Sequence, residues 1–101
     1  MKTLLTTVFF AVTATVSSAN PMCDVLKTYA EVTMSHRQIG TDISEVLKVV
    51  RKDAEEPALE QILTTIAIEA YKQPKFNTSS YQEEAIQEFS LEVYLTCLEA
   101  Q

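Results

Sequence analysis

The sequence predicts a small all-α domain of four helices that is closed by one disulfide and follows a cleaved N-terminal signal peptide. Three observations predict this class. The chain opens on an uncharged apolar stretch, and its 101 residues contain only one glycine and three prolines, so each of these is interpreted as a helix boundary. Its only two cysteines, Cys23 and Cys97, lie near the two ends of the chain beyond the apolar stretch. Residues 20–101 have the length of a single domain.

The N-terminal segment has the pattern of an export signal. Lys2 is followed by the uncharged apolar run Leu4–Val16, and Ser17 and Ala19 are the small residues that a signal peptidase accepts before its cleavage site. The alternative, a membrane anchor, is disfavoured because the run is shorter than the roughly 20 residues that span a bilayer. We therefore expect a signal peptide over 1–19, with cleavage after Ala19.

The first predicted helix begins beside Asn20, which can cap it, with Pro21 at its first position. Its apolar face repeats every three or four residues and comprises Met22, Leu26, Tyr29, Ala30, Thr33 and Met34. Gly40 is expected to end the helix, since glycine adopts the left-handed backbone of a helix end without penalty.

The second predicted helix starts at Asp42, which forms a capping pair with Glu45 three residues later. Its buried stripe consists of Ile43, Val46, Leu47 and Val50. Arg51 and Lys52 lie at its C-terminal end, where positive charge is favourable to the helix dipole.

The third predicted helix opens at Pro57 and ends before Pro74, because the residue preceding a proline is forced out of the helical conformation. The residues expected to face inward are Leu59, Ile62, Leu63, Ile66 and Ala70. Ile68 and Tyr71 widen the apolar band. We therefore expect this helix to be the most buried one and the centre of the core.

The fourth predicted helix follows a polar loop, 73–79, and opens with a capping box formed by Ser80 and Glu83. One stripe contains Ile86, Phe89, Val93 and Cys97, and the other side carries Leu91, Tyr94, Leu95 and Leu98. Such a helix is either buried on two faces or presents a surface to a partner.

The two cysteines are placed to form an intramolecular disulfide. Cys23 falls in the first turn of the first helix and Cys97 in the last turn of the fourth. An even number of antiparallel helices brings these two turns to the same end of a bundle. Free thiols and an intermolecular bridge are the alternatives. A disulfide closing a ring of this size would stabilise the domain by about 4 kcal/mol in the chain-entropy model.

The charge of the chain limits its partners. With 14 acidic and eight basic residues, the net charge is −6 at neutral pH. Such a chain repels phosphate backbones and anionic lipids, so we expect neither nucleic-acid binding nor membrane insertion after cleavage. A basic protein partner is expected, with a merely solubilising charge as the alternative. The oligomeric state is left open.

The residues that carry catalysis or bind metals do not form a recognisable constellation. His36 is the only histidine, which excludes a site with several histidine ligands. Neither Ser35 nor Ser44 stands in the glycine-rich setting that exposes a serine nucleophile. The paired glutamates 55–56 and 83–84 lie at predicted helix starts, where negative charge is favourable, and helix neighbours point apart. We expect a non-enzyme with no catalytic residues, no metal and no cofactor.

Several stretches resemble a family of small exported two-cysteine helical proteins of Gram-negative bacteria and their phages. They are Cys23, the segments 34–40 and 70–76, Glu88-Phe89, and Tyr94 with Cys97. The resemblance implies a periplasmic location and a disulfide. It implies no activity and no binding residues.

These expectations together favour a non-enzymatic periplasmic binding protein, such as an inhibitor of a basic cell-wall or phage enzyme. Its architecture is similar to that of small disulfide-stapled periplasmic lysozyme inhibitors of phages. The residues expected to contact the partner are His36, Arg37, Tyr71, Phe76 and Tyr81. The alternative for the aromatic residues, Tyr71 above all, is that they seal one end of the bundle.

Two other functions are kept as alternatives. One is an acid- or stress-activated chaperone, because periplasmic chaperones of that class are also small, exported, helical and held by a single disulfide. Their cysteine placement differs, since here the pair brackets the whole domain. The other is a structural or accessory exported protein.

Overall fold

A computed structural model describes residues 21–100. This part of the chain contains four α-helices and no strand, which confirms the predicted all-α class. The helices are α1, Pro21–Ile39; α2, Ile43–Asp53; α3, Pro57–Lys72; and α4, Ser79–Glu99. None of the four is both long enough and apolar enough to cross a membrane. The predicted signal peptide, its cleavage site after Ala19 and the Asn20 cap lie outside the described residues.

The turn between α1 and α2 forms at Gly40, where the sequence predicts it. Gly40 has φ +88°, in the left-handed region that other residues enter at a cost. Its N–H donates to the carbonyl of Arg37 at 3.2 Å, and the N–H of Thr41 donates to the carbonyl of His36 at 2.9 Å. This pair of bonds is the Schellman motif, which satisfies carbonyls at the end of α1.

The start of α2 confirms Asp42 as its cap. The Asp42 carboxylate accepts hydrogen bonds from the N–H and the hydroxyl of Ser44, each at 2.8 Å. These two bonds lower the pKa of Asp42 below its usual range. Glu45 does not complete the capping pair, because its side chain is directed to Lys48, whose Nζ lies 3.4 Å away.

Two prolines set the limits of α3, as the sequence predicts. Pro57 occupies the first turn, where its missing N–H leaves no bond unmade. Gln73 adopts an extended backbone immediately before Pro74, with φ −74° and ψ 152°, and this ends the helix.

The predicted capping box of α4 is wrong. The cap is Thr78, whose extended backbone precedes the helix and whose hydroxyl accepts from the N–H of Tyr81 at 3.4 Å. Ser80 already lies within the helix. The capping-box pattern requires Glu or Gln three residues after the cap, and Tyr81 stands there for Thr78, so the pattern selected Ser80 and Glu83 instead.

The centre of the core is α1 rather than α3, which corrects the expectation from the width of the α3 apolar band. α1 packs most extensively along α4, and it also contacts α3 and α2; α2 packs on α3. α3 and α4 make hardly any direct contact. The buried residues of α1 are Cys23, Leu26, Ala30, Thr33, Met34 and Gln38. Because α3 and α4 lie on either side of α1, α1 buries more residues than any other helix, while part of the α3 band stays at the surface.

A disulfide joins Cys23 to Cys97, as predicted, and ties the start of α1 to the end of α4. The two Cα atoms lie 5.5 Å apart. The Cys23 side chain is fully buried. The bond thus fixes the longest helix pair of the domain at the end opposite the α1–α2 turn.

Candidate functional site

The five residues expected to contact a partner all lie at one end of the molecule, opposite the disulfide. We call this the loop end: it comprises the end of α1, the α1–α2 turn at 40–42 and the segment 71–82. His36 belongs to it through a hydrogen bond between its Nδ1 and Thr41 Oγ1, which lie 3.0 Å apart. The sequence therefore selected residues that are neighbours in space.

The loop end is held together by a residue that the sequence pattern did not single out. The buried amide of Gln38 donates from Nε2 to the carbonyl of Pro74 at 2.9 Å and accepts at Oε1 from the N–H of Phe76 at 2.8 Å. Gln82 donates to the carbonyl of Phe76 at 2.8 Å. Gln38 lies four residues after Met34, on the apolar face of α1. A glutamine at such a position was the signal that could have revealed it, since buried amides need partners.

Arg37 and Tyr71 also have contacts within the chain. Arg37 Nε donates to the carbonyl of Gln73 at 3.0 Å, and the Tyr71 hydroxyl donates to the carbonyl of Thr41 at 2.7 Å. The guanidinium carbon of Arg37 lies 5.7 Å from the centroid of the Tyr71 ring. Burial raises the pKa of Tyr71, and the charge of Arg37 partly opposes this. Through these contacts, Arg37 and Tyr71 both help to seal the loop end.

The remaining aromatic pair is more open than Tyr71, and Glu84 lies one turn after Tyr81 on α4. The rings of Phe76 and Tyr81 are tilted, with centroids 6.0 Å apart, and Tyr81 is 59% exposed. Arg37 and Lys75 make no ion pair within residues 21–100. The part of the loop end formed by Arg37 and Lys75 is therefore a poor match for a basic partner.

A different surface combines apolar area with negative charge. α3 and α4 diverge on either side of α1 and leave between them an open cavity of about 440 Å³, which we call the α3–α4 groove. Its apolar lining is formed by Leu26, Ile62, Ile66, Phe89, Val93 and Cys97. The lining runs along 62–72 of α3 and the following Gln73, and along 89–99 of α4 and the following Ala100, a length of roughly 16 Å.

The groove continues towards the loop end. A second cavity, of about 170 Å³, lies against the segment 73–76 and shares Gln73, Phe89 and Glu92 with the first. Met34 and Ala85 contribute to its lining. The two adjoining cavities thus extend along most of α4.

Ile62 is exposed because it lines the open groove. The sequence predicts that Ile62 faces the core, but it is 45% exposed. The helical period identifies the apolar face of α3 correctly, and the error arises because α4 does not close over that face. Ile68, on another side of α3, is exposed to a similar extent, 41%, and does not line the groove.

The α4 edge of the groove carries Glu92, and Glu88 lines the adjoining cavity. α4 contains five glutamates and no basic residue. Glu84, Glu88 and Glu92 repeat every four residues and form a row, and none makes an ion pair within residues 21–100. Like charges at this spacing repel one another. Leu91 and Leu95 are about half exposed on the same side of the helix.

The opposite edge of the groove, on α3, carries a further carboxylate. Glu69 lines the groove there and lies 2.9 Å from Lys72 Nζ in an exposed ion pair. Such a pair contributes little to stability and is readily exchanged for another cation. Both edges of the groove therefore present carboxylates to an incoming molecule.

The space between α1 and α2 is smaller and less informative. It is a cavity of about 180 Å³ whose lining includes Tyr29, Val32 and the bonded pair His36 and Thr41. Burial, and to a lesser extent the charge of Asp53, raises the pKa of Tyr29. No group of three or more potential metal ligands occurs in the part of the chain that the structure describes.

Comparison with known proteins gives this chain no relatives from which a function could be taken. No family model, no curated protein and no solved structure matches it. The function has to be inferred from the surfaces described above.

Proposed function

We propose that this chain is a non-enzymatic exported protein that binds a basic protein partner. The observation that carries the proposal is the unpaired glutamate row of α4 beside the open α3–α4 groove. The row costs the isolated helix stability, and no lysine or arginine of the described chain offsets it. Positive charge on a partner would relieve this repulsion, and the groove would supply the apolar contact.

Export to the periplasm is part of the proposal. It is supported by the signal-like segment 1–19 and by the Cys23–Cys97 disulfide, since such bonds persist in oxidising compartments. A basic cell-wall or phage enzyme is the class of partner that fits this location and charge. Electrostatic attraction would speed the encounter and would weaken as salt is added.

The proposed contact surface differs from the one expected from sequence. Arg37 and Tyr71 are engaged in bonds within the loop end, and the charge of Arg37 has the same sign as the partner's. The glutamates of α4 have the opposite sign and no competing contact. Tyr81 stays a predicted contact at the margin of this surface.

The test is capture of partners from a periplasmic extract by the oxidised protein. The informative variant is Glu88→Gln/Glu92→Gln, and its control is Glu55→Gln/Glu56→Gln, which removes the same charge from the α2–α3 corner. We expect the wild type and the control to retain one basic protein that high salt elutes, and the α4 variant to lose it. Failure to retain any basic protein, or equal loss from both variants, would contradict the proposal.

An acid-activated chaperone is the second candidate, because the groove is apolar and its charged edges consist of carboxylates that acid neutralises. Circular dichroism and dye binding at about pH 3 separate the two functions. A chaperone would expose additional apolar surface and bind more dye. A dedicated binding protein would keep its near-neutral spectrum and bind no more dye than before.

A further inference from the structure

The α3–α4 groove has the form of a receptor for one element of the partner. Resting on the proposed function, we propose that the groove receives a single cationic amphipathic α-helix. The apolar side of that helix lies on the groove floor, and its lysines or arginines face the glutamates at the edges.

The dimensions of the groove fit this occupant. Its length of roughly 16 Å corresponds to about three turns of α-helix. Helices that bind in grooves anchor themselves through apolar residues three, four and seven positions apart, which span two to three turns. Ile62, Phe89 and Val93 provide matching apolar contacts along the walls, and Leu26 provides one on the floor.

Charge selects the kind of helix. Glu69 stands on the α3 edge and Glu92 on the α4 edge, and Glu88 borders the continuation of the groove. Glu69 is paired with Lys72, and neither Glu88 nor Glu92 makes an ion pair within residues 21–100. Anionic amphiphiles such as fatty acids are repelled by these edges, whereas a helix with lysines flanking its apolar stripe is attracted.

A second copy of this chain fits the groove poorly. An α4 seated there would bring one glutamate row against another, and α4 has no basic residue. α2 has three basic residues, Lys48, Arg51 and Lys52, but Val46 and Val50 of its apolar face are buried within its own domain. The helix that completes the groove therefore comes from another protein.

The test uses a synthetic helical peptide as the probe. The peptide has about 14 residues, with leucines three and four positions apart on one side and lysines flanking them, and the control peptide has the same composition in scrambled order. Binding to the oxidised protein is measured by calorimetry, and the contacted residues are mapped by NMR. The informative variant is Ile62→Gln, and its matched control is Ile68→Gln, a similarly exposed isoleucine of α3 outside the groove.

We expect the helical peptide to bind the wild type, the Ile62→Gln variant to bind about fivefold more weakly, and the Ile68→Gln variant to bind as the wild type does. NMR shifts should be confined to Leu26, 62–73 and 84–100. Thr96→Trp, which fills the groove from an exposed position, should abolish binding and serves as the second variant should Ile62→Gln unfold.

Four outcomes would overturn the groove proposal. They are no binding of the helical peptide, equal binding of the scrambled peptide, equal weakening by Ile62→Gln and Ile68→Gln, and occupation of the groove by palmitate or by a second copy detected in sedimentation. None of them bears on whether a basic partner is captured through Glu88 and Glu92. Failure of the groove is thus distinguishable from failure of the proposed function.

Discussion

At the scale of single residues, a buried amide organises the loop end more than the aromatic side chains do. Both polar groups of the Gln38 amide bond to the backbone of the segment after α3. The segment is thereby held against α1. Tyr71 and Arg37 add bonds on the neighbouring side, so the residues that the sequence marked as contacts are largely occupied.

Replacing Gln38 with alanine tests this role. The variant leaves the carbonyl of Pro74 and the N–H of Phe76 without their partners, and we expect the free energy of unfolding to fall by about 2 kcal/mol. The control is Gln61→Ala on the exposed side of α3, which should change it by less than about 0.5 kcal/mol. Urea unfolding measures both, and equal values would contradict the role given to Gln38.

The cap of α2 gives a prediction about pH. Hydrogen bonds from Ser44 lower the pKa of Asp42 in the folded state, so the carboxylate contributes stability above its unfolded pKa, and this contribution is lost as pH falls through the folded pKa. Asp42→Asn should therefore be less stable than the wild type at neutral pH, and the difference should shrink below about pH 4. Thermal melts over this range measure it, and a difference that grows on acidification would refute the assignment.

At the scale of the helices, the breakers predicted the boundaries well because their effects are local. Gly40 needs a positive φ and Pro74 forces an extended residue before it, whatever the rest of the fold does. The apolar period also identified the correct face of each helix. It could not show which helix would cover that face, and so Ile62 was expected in the core and α3 at its centre.

The structure and the sequence pattern assign the cap of α4 to different residues, Thr78 and Ser80. Thr78→Ala removes the hydroxyl that accepts from the N–H of Tyr81, and we expect it to lower the free energy of unfolding by about 1 kcal/mol. Ser80→Ala, at the residue that the capping-box pattern selects, should change it by less than about 0.5 kcal/mol. Denaturant unfolding of the two variants compares them directly, and the reverse order would restore the Ser80 cap.

At the scale of the whole molecule, α3 and α4 both pack on α1, which forms the floor of the groove, and they form its two walls. The disulfide joins the α4 wall to α1. Charge alone predicted a basic partner, because net charge is a property of composition. The groove was not predictable, since it is the gap between two helices that meet the same third helix. Its acidic edge emerges only when Glu69 and Glu92 are placed across that gap.

The disulfide is expected to carry a large share of the stability. Cys23→Ala/Cys97→Ala should lower the free energy of unfolding by about 4 kcal/mol, because the unfolded chain is no longer closed into a ring. A small domain has only about 5 to 15 kcal/mol in total, so the variant should melt far below the oxidised protein. Calorimetry measures this, and a loss below about 1 kcal/mol would show that packing on α1 suffices.

The most direct test of binding through the groove is an NMR titration of the oxidised protein with the basic partner that it captures. We predict that the shifts concentrate on the two sides of the groove, 62–73 and 84–100, and that salt reverses them. Shifts concentrated instead at the loop end, around Phe76 and Tyr81, would contradict this and would place the contact where the sequence alone had suggested.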